Sequence, residues 1–472
     1  MSERVFTSED QAAFAELSGD FNPLHMDPVL ARRLLFGSQV VHGLHALLWS
    51  LEEHLKSRTV SMQLLTVKAN FQAGLGVGQS VRCMTELTDE NRVAFRIETD
   101  ETPAAWIEVR LGPFRRYKTD PLPEMPLEAQ KCRKRHLEEV AAASGSIPLY
   151  FNGELAGRLF PNLSRTLPPR QLAALLATTR LVGMECPGFH SIYSNLSLAF
   201  SSDDAGAAFL NYRVTNCNER LALVSMEVAA PGMKGEVKAF LRPEPQSQPA
   251  YADVCHEVEA EEFSSQRALI VGGSRGLGEA AAKLLAAGGA EVALTYYRGA
   301  QDAQRIVDEI ISHGGRAQCL PLDVLDPPQG LASRIGKRPV PLYLYYFATP
   351  RIFGAAKGRF SPQRFARFCE HYVTGFVRTI QSIADPAVGL KKIFYPSSTA
   401  VEELPLDLGE YAAAKMAGEL LCDFLQKAYP GLVVYKPRLP RVATDQTVSL
   451  LPVSSQEPVS VLLNRLRYLR QM

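Results

Sequence analysis

Three residues in the last quarter of the chain have the types and spacing of a hydride-transfer site. Tyr411 and Lys415 are one helical turn apart, so both side chains lie on the same face of a helix. Ser398 follows the apolar run KIFYP, which predicts a strand entering a loop. In such a site the serine orients a carbonyl and the tyrosine donates a proton, while a nearby ammonium lowers the phenol pKa from about 10. Taken alone, Tyr-x-x-x-Lys is equally compatible with a solvated helix face.

A carboxylate and an imidazole near the N-terminus form a second candidate pair. Asp20 and His25 flank Asn22-Pro23, a segment too irregular to be helical. Held on one loop, the two groups can share a water and act as general base and acid. Gly43 opens a long apolar helix, where its backbone N–H and the helix dipole favour a developing oxyanion. The alternative makes Asp20 a helix cap and His25 a packed loop residue.

Composition indicates an ordinary globular protein of several domains. The 472 residues predict about three domains at roughly 150 residues each. A formal net charge of +1, with no long run of one sign, argues against nucleic acid or an anionic membrane surface as a partner. The N-terminal segment lacks the apolar core of a signal peptide, and no stretch approaches the roughly 18 apolar residues of a membrane span. Eight scattered cysteines without a C-x-x-C pair favour reduced thiols in the cytoplasm and no metal site.

The first segment pairs the Asp20 loop with one long helix and four strand-like runs, typical of a sheet wrapped around a buried helix. Its S-G-D-x-N-P-L-H-x-D and F-G-x-x-V-V-H-G motifs resemble the MaoC-like (R)-specific enoyl hydratases and dehydratases of the hot-dog fold. This resemblance covers roughly residues 5–115 and implies a hot-dog domain at 1–117. It makes Asp20 and His25 the catalytic pair, Gly43 the oxyanion-hole amide and His42 a structural residue.

Residues 148–243 repeat this pattern without its chemistry. A helix that begins at Pro168-Pro169 precedes four strand-like runs, which resembles a second, degenerate hot-dog domain. No Asp-x-x-x-x-His pair precedes its helix, and His190 is expected to have a structural role. We expect this half to complete an acyl tunnel. Residues 117–147 are predicted to connect the two halves, and the Pro-rich, then acidic residues 244–264 to form a linker.

Residues 265–472 change to alternating strands and helices, which predicts a doubly wound parallel sheet. Its G-x-x-x-G-x-G loop, between an apolar strand and an alanine-rich helix, resembles that of the short-chain dehydrogenase/reductases. In this family Ser398, Tyr411 and Lys415 match the catalytic residues. The resemblance also implies a nucleotide site built from Gly272, Ser274, Arg275, Gly276, Leu277, Gly278, Asp323, Val324, Ala348, Tyr411 and Lys415.

The second strand of this domain ends without an acidic residue that would hold a ribose 2′-hydroxyl. Arg275 and Arg298 can instead pair a 2′-phosphate, so NADPH is predicted as the cofactor rather than NADH. Three positions depart from the family pattern. Phe347-Ala348-Thr349 replaces Asn-Ala-Gly, Pro437-Arg438 replaces Pro-Gly, and Tyr372 replaces an asparagine of the usual proton relay.

Together the two resemblances predict a fusion of an α+β double hot-dog region with an α/β Rossmann-type domain. They imply a bifunctional 3-oxoacyl-thioester reductase and (R)-3-hydroxyacyl-thioester dehydratase in acyl-chain synthesis. One alternative runs the same steps oxidatively. Another makes the hot-dog half a non-catalytic acyl-binding or dimerisation scaffold. The expected partners are an acyl thioester on acyl carrier protein or coenzyme A and further copies of the chain in a homodimer or higher homo-oligomer.

Overall fold

The computed structural model describes residues 1–89, 91–99, 102–115, 122–124, 131–201, 206–328, 331–335, 340–353, 358–383, 389–450 and 453–472. The chain divides into two compact units. The first comprises Met1–Glu244 with Ser449–Pro452, and the second comprises Pro245–Val448 with Val453–Met472. No helix among the described residues is long and apolar enough to cross a membrane.

The first unit consists of two sequence halves, and in each a short strand and a series of helices precede four longer strands. The first half contains β1 (Ser2–Val5), α1 (Ser8–Ser18), α2 (Pro23–Met26), α3 (Pro28–Ala31), α4 (Gly43–Leu55), β2 (Met62–Phe71), β3 (Ser80–Thr88), β4 (Arg92–Glu98) and β5 (Pro103–Pro113). The second half contains α5 (Leu137–Ala141), β6 (Ser144–Pro148), α6 (Gly153–Leu159), α7 (Pro161–Thr166), α8 (Pro169–Arg180), a π-helical turn (Leu181–Glu185), β7 (Ser191–Phe200), β8 (Phe209–Asn218), β9 (Leu223–Ala230) and β10 (Met233–Leu241).

All ten strands of this unit form one antiparallel sheet in the order β1-β3-β4-β5-β2-β7-β10-β9-β8-β6. Reading outward from the centre, β2, β5, β4, β3 and β1 are matched by β7, β10, β9, β8 and β6. The halves join where β2 pairs with β7, with Val67 opposite Leu198 and Ala69 opposite Leu196. One apolar core contains residues of both long helices and both halves of the sheet. This confirms the predicted double hot-dog.

The second unit is a three-layer α/β domain. It contains α9 (Tyr251–Val254), β11 (Arg267–Val271), α10 (Gly276–Ala287), β12 (Glu291–Tyr296), α11 (Ala300–Ser312), β13 (Arg316–Pro321), α12 (Leu331–Ile335), β14 (Leu342–Tyr346), α13 (Pro362–Cys369), a π-helical turn (Glu370–Gly375), α14 (Phe376–Ile383), β15 (Leu390–Phe394), β16 (Ser397–Ser398), α15 (Ala400–Glu403), α16 (Gly409–Ala428), β17 (Val433–Tyr435), β18 (Arg438–Leu439), a 3₁₀ turn (Asp445–Thr447) and α17 (Pro458–Gln471).

Its main sheet is parallel, in the order β13-β12-β11-β14-β15-β17. Counted along the chain this is 3-2-1-4-5-6, the doubly wound order in which a nucleotide binds at the carboxyl ends of the strands where the order reverses. Apolar clusters lie on the two sides of the sheet. The predicted Rossmann-type fold is confirmed.

The predicted linker at 244–264 is wrong as a description of this segment. Tyr251, Val254, Val258 and Phe263 are at most 8% exposed and belong to the same apolar cluster as α10 and α17. The segment is composed of Pro-rich and acidic stretches, but its apolar residues recur every three to five positions and pack onto the domain that follows. The second unit therefore begins at Pro245, ahead of the predicted boundary at 265.

Candidate active sites

The loop that carries Asp20 and His25 is fixed by local backbone signals. Gly19 ends α1 in the left-handed conformation (φ 76°), which a residue with a side chain rarely adopts. Asn22 caps the short helix α2 through a hydrogen bond that its side chain accepts from the Leu24 N–H, and Pro23 occupies the first helical position. These two caps place Asp20 and His25 on either side of one tight turn.

The structure brings Asp20 and His25 together. One side-chain atom of each lies within 4.8 Å of the other and of a ring nitrogen of His42, a separation that one shared water can bridge. Asp20 is 2% exposed, and His25 is partly buried. The Nδ1–H of His25 donates to the carbonyl of Val40 (2.8 Å), so the neutral ring keeps its lone pair on Nε2. His25 can therefore accept a proton at Nε2.

The second half of the unit holds the Asp20 carboxylate. Thr179, in the last turn of α8, donates from Oγ1 to Asp20 Oδ2 (2.7 Å), and the Asn22 N–H donates to Oδ1 (3.2 Å). A Cβ at Gly183, in the π-helical turn, would lie 2.1 Å from Oδ1. Asn22 Nδ2 donates to the Gly183 carbonyl (2.9 Å), which ties the two halves together at the same point. The degenerate half therefore contributes to this site.

Burial perturbs both members of the pair. It raises the pKa of Asp20, against the opposing effects of His25 and the Thr179 hydrogen bond. It lowers the pKa of His25, against the opposing effect of Asp20. Each shift favours the neutral form, and together they narrow the gap between the two pKa values, which eases the transfer of a proton between the groups during acid–base catalysis.

Gly43 and His42 occupy the predicted start of α4. His42 is the N-cap, and the N–H of Gly43 lies in the first turn, where the helix offers it no carbonyl partner. His42 Nε2 donates to the carbonyl of Asp20 (2.9 Å), and Nδ1 lies 3.0 Å from Gln11 Oε1. Both ring nitrogens of His42 are therefore engaged by neighbouring oxygens, which agrees with the structural role that the sequence predicted for this residue.

The hydroxyl of Ser50, which is buried in α4, is used within the helix. It donates to the carbonyl of Ala46 (2.9 Å), one turn earlier in its own helix.

The second site is built around β16 and α16. Ser398 ends the short strand β16, and Tyr411 and Lys415 lie in the first two turns of α16. Ser398 and Tyr411 are hydrogen-bonded through their side chains. Lys415 Nζ donates to the carbonyl of Pro396 (2.7 Å) and lies 5.9 Å from the centre of the Tyr411 ring. All three predicted residues therefore meet in one place.

The predicted effect of Lys415 on the Tyr411 phenol is wrong. Burial raises the pKa of Tyr411 to about 12, and the hydrogen bond from Ser398 only partly offsets it. Burial also lowers the pKa of Lys415 to about 7, so the ammonium that was expected to favour the tyrosinate is itself weakened near neutral pH. The phenol is therefore fully protonated at neutral pH.

Tyr372, which stands where the resemblance predicts an asparagine, contacts Lys415 through its aromatic ring. It lies in the π-helical turn and is fully buried, with its hydroxyl 2.5 Å from Thr349 Oγ1. Lys415 Nζ lies 3.9 Å from the centre of the Tyr372 ring, a cation–π distance. The Tyr372 carbonyl accepts a hydrogen bond from Tyr395 (3.1 Å). An aromatic ring thus contacts the lysine where the family has an amide.

The glycine loop has the geometry of a phosphate cradle. Gly272 and Gly276 have φ values of 80° and 57°. A Cβ at Gly278 would lie 2.2 Å from the Gly272 carbonyl oxygen, and one at Gly272 would lie 2.9 Å from the Ala348 N–H nitrogen. The remaining predicted residues lie in this loop or after β13, with Ser274 and Val324 buried and Leu277 and Asp323 partly exposed.

The two arginines predicted to bind a 2′-phosphate differ in their surroundings. Arg275 Nη1 donates to Asp445 Oδ2 (2.7 Å), so a phosphate would have to compete with a buried carboxylate. Arg298 is exposed, with its guanidinium 5.2 Å from the centre of the Tyr297 ring. The structure therefore favours Arg298 over Arg275 as the phosphate ligand.

Sequence reasoning did not find Thr179 or Gly183. Neither belongs to a motif, and each reaches Asp20 only because the two halves share a sheet. A glycine close after a helix was the sole local signal, and such glycines are common helix ends.

Comparisons with known proteins give matches in each of the two units. A model of the "MaoC like domain" family matches residues 2–107, and one of the "short chain dehydrogenase" family matches residues 266–434. The chain is similar to (R)-specific enoyl-CoA hydratase of Aeromonas caviae, with 37% identity over 86 residues, 18% of this chain and 63% of that protein. It is similar to peroxisomal multifunctional enzyme type 2 of Drosophila melanogaster, with 38% identity over 99 residues, 20% of this chain and 16% of that protein.

It is also similar to the uncharacterized oxidoreductase YgfF of Escherichia coli, with 43% identity over 65 residues, 14% of this chain and 26% of that protein. Each match spans less than two thirds of the relative's own length. The family matches fall on the two units that carry the Asp20–His25 pair and the Ser398–Tyr411–Lys415 group. The chain therefore has a MaoC-like domain in its N-terminal region and a short-chain dehydrogenase domain after it.

Proposed function

We propose that this chain is a bifunctional enzyme that reduces 3-oxoacyl thioesters with NADPH and interconverts the resulting (R)-3-hydroxyacyl and 2-enoyl thioesters. The observation that carries the proposal is the pairing of two complete side-chain sets in one chain. Asp20 and His25 are close enough for one water to contact both. Ser398 and Lys415 lie on either side of Tyr411 in sequence and meet it in one site. The alcohol made by the second set is the substrate of the first.

At the first site, the neutral His25 accepts a proton at Nε2, and Asp20 exchanges the other proton needed to add or remove water. The N–H of Gly43 is available to the thioester oxygen as negative charge develops there. Thr179 and the Asn22 N–H orient the carboxylate. The absence of bulk at Gly183 leaves the carboxylate room to approach the second half.

At the second site, Ser398 orients the carbonyl and Tyr411 donates a proton to its oxygen. A phenol pKa of about 12 keeps Tyr411 in the protonated form that reduction uses at neutral pH. NADPH, when bound, supplies the hydride. The glycine loop suits its pyrophosphate because the positions that approach it have no side chain, and Arg298 is exposed where a 2′-phosphate would be met.

The oxidative direction is the second candidate. The names of peroxisomal multifunctional and hydratase-dehydrogenase relatives favour hydration followed by oxidation. The predicted preference for NADPH and the protonated Tyr411 favour reduction followed by dehydration. We place the substrate on coenzyme A or acyl carrier protein. A cytoplasmic location and a homo-oligomeric state remain predictions from the sequence.

The test incubates the purified chain with NADPH and 3-oxoacyl thioesters of short and medium length, with products identified by mass. We expect NADPH oxidation and both 3-hydroxyacyl and 2-enoyl products. Arg298→Gln should raise the KM for NADPH about 10- to 100-fold and leave that for NADH unchanged, since a charge-assisted contact is worth about 1.5–3 kcal/mol. A higher kcat/KM for NAD⁺-dependent oxidation than for NADPH-dependent reduction would favour the oxidative candidate. If the chain interconverted hydroxyacyl and enoyl thioesters on neither carrier, the bifunctional proposal would be wrong.

A further inference from the structure

A buried arginine in the second hot-dog half has a hydrogen-bond acceptor for only one of its three guanidinium nitrogens among the described residues. Arg242, directly after β10, is 2% exposed. Its Nη2 donates to the carbonyl of Phe189 (2.6 Å), whereas Nε and Nη1 are buried with no hydrogen-bond partner among the described residues. A buried cation is costly unless it is paired, so a guanidinium in this state requires an acceptor.

His190 lies beside Arg242 in a similar state. It is 4% exposed, and neither ring nitrogen has a hydrogen-bond partner in the described part of the chain. The Arg242 N–H donates to the His190 carbonyl (2.7 Å), which keeps the two residues adjacent. The structural role that the sequence predicted for His190 does not account for two buried ring nitrogens without a hydrogen bond.

Both residues line a cavity of about 360 Å³ in the first unit, large enough for several waters at about 30 Å³ each. Arg135 and Glu244 also line it, and each already has a partner. Arg135 pairs with Glu185 (2.9 Å), and Glu244 pairs with Lys134 (2.7 Å) and lies 3.5 Å from His190 Nε2. Glu244 is half exposed, and it forms no ion pair with Arg242 among the described residues. The cavity thus presents two buried donors of Arg242, Nε and Nη1, that have no hydrogen-bond partner among the described residues.

The cavity lies close to the catalytic loop. The Phe189 carbonyl that accepts from Arg242 also accepts from Asn22 Nδ2 (3.3 Å), between Asp20 and His25. The charge of Arg242 also contributes to the lowered pKa of His25, behind the larger effect of burial. A group bound at Arg242 would therefore lie one backbone carbonyl away from Asn22, close enough for one extended substrate to contact both places.

We propose that Arg242 and His190 bind an oxyanion group of the acyl-thioester substrate. Two parts of such a substrate carry this chemistry, a phosphate ester on the carrier arm or a carboxylate at the far end of the acyl chain. The inference rests on the proposed dehydratase function for its substrate, but the site itself is defined by the unpaired donors.

The test compares hydration of three enoyl thioesters by the full chain. Crotonyl-CoA carries phosphates, glutaconyl-pantetheine carries only a carboxylate, and crotonyl-pantetheine carries neither. Arg242→Gln and His190→Gln should each raise KM for the thioester whose anion is bound, by about 10- to 100-fold for the arginine. KM for crotonyl-pantetheine should not change. Arg213→Gln, an exposed arginine paired with Glu227 in the same half, is the matched control and should change none of the three.

The pattern identifies the source of the anion. A selective loss with crotonyl-CoA assigns the phosphate, and one with glutaconyl-pantetheine assigns the carboxylate. Equal losses on all three substrates, or no loss on any, would overturn the site. Calorimetric titration with 4′-phosphopantetheine and with glutarate measures binding without turnover. Binding that disappears in Arg242→Gln but accompanies no hydration would refute the proposed function and leave the site standing.

Discussion

At the scale of single residues, both candidate sites use burial to set protonation. Asp20 and His25 are each pushed towards the neutral form, and Tyr411 is kept protonated while Lys415 loses much of its charge near pH 7. The side chains that would carry out the chemistry are therefore destabilised in their charged forms. This has a consequence for stability that can be measured without substrate.

Lys415→Met should change how stability depends on pH. The pKa of Lys415 falls from 10.5 to about 7 on folding, so between these values the unfolded chain binds more protons than the folded one. The free energy of unfolding of the wild type should therefore rise with pH across pH 7 to 10.5 relative to the variant, on the order of a few kcal/mol. Denaturant unfolding at several pH values measures this difference.

Lys427→Met is the matched control, because Lys427 lies on the same helix α16 and is exposed. Its stability curve should run parallel to that of the wild type. A Lys415→Met curve that is also parallel to the wild type would show that the buried lysine keeps its normal pKa.

At the scale of elements, the end of α8 reaches across to the Asp20 loop. Thr178 and Thr179 are neighbours with different tasks. Thr178 donates to the carbonyl of Leu175 in its own helix (2.7 Å), whereas Thr179 donates to Asp20 (2.7 Å). The pair allows the contribution of the second half to catalysis to be separated from its contribution to packing.

Thr179→Val should lower kcat for hydration about 10- to 100-fold with little change in KM, since a hydrogen bond to a carboxylate is worth about 1.5–3 kcal/mol. That bond lowers the pKa of Asp20, so its removal should move the carboxylate-dependent limb of the pH–rate profile to higher pH. Thr179→Ser should restore both, and Thr178→Val should shift neither. If the pH–rate profile of Thr179→Val matched that of the wild type, Thr179 would contribute only packing and would not affect the pKa of Asp20.

The same elements show what the sequence can and cannot predict. The Asp20 loop, the glycine loop and the Ser398–Tyr411–Lys415 group were predicted because each depends on residues close in sequence. Thr179 was not, because its contact with Asp20 depends on β2 pairing with β7 across more than a hundred residues. The burial of Tyr251 and Phe263 was missed because their spacing is visible only once the following domain offers a surface to cover.

At the scale of the whole molecule, the two units have separate apolar cores. Asp20→Asn should abolish interconversion of hydroxyacyl and enoyl thioesters, a loss of about 10²–10⁴-fold, and leave NADPH-dependent reduction unchanged. Tyr411→Phe should do the reverse. From a 3-oxoacyl thioester and NADPH, Asp20→Asn should accumulate the alcohol, as measured by mass.

An equimolar mixture of the two variants should again form the enoyl product, because the alcohol released by one chain is the substrate of the other. A parallel fall of both activities in Asp20→Asn would contradict independent sites. An enoyl product from Asp20→Asn alone would contradict the assignment of the general acid–base pair.

Because β2 pairs with β7 inside one chain, the ratio between the two kinds of candidate site is the same in every molecule. A hot-dog half that borrowed its neighbour from another molecule would lose its site on dilution, since assembly between chains depends on their concentration. Here Thr179 and Gly183 are supplied to Asp20 by the same polypeptide. Because only one half carries the Asp20–His25 pair, each translated chain contributes one such pair for each Ser398–Tyr411–Lys415 group, and no change in expression can alter that balance.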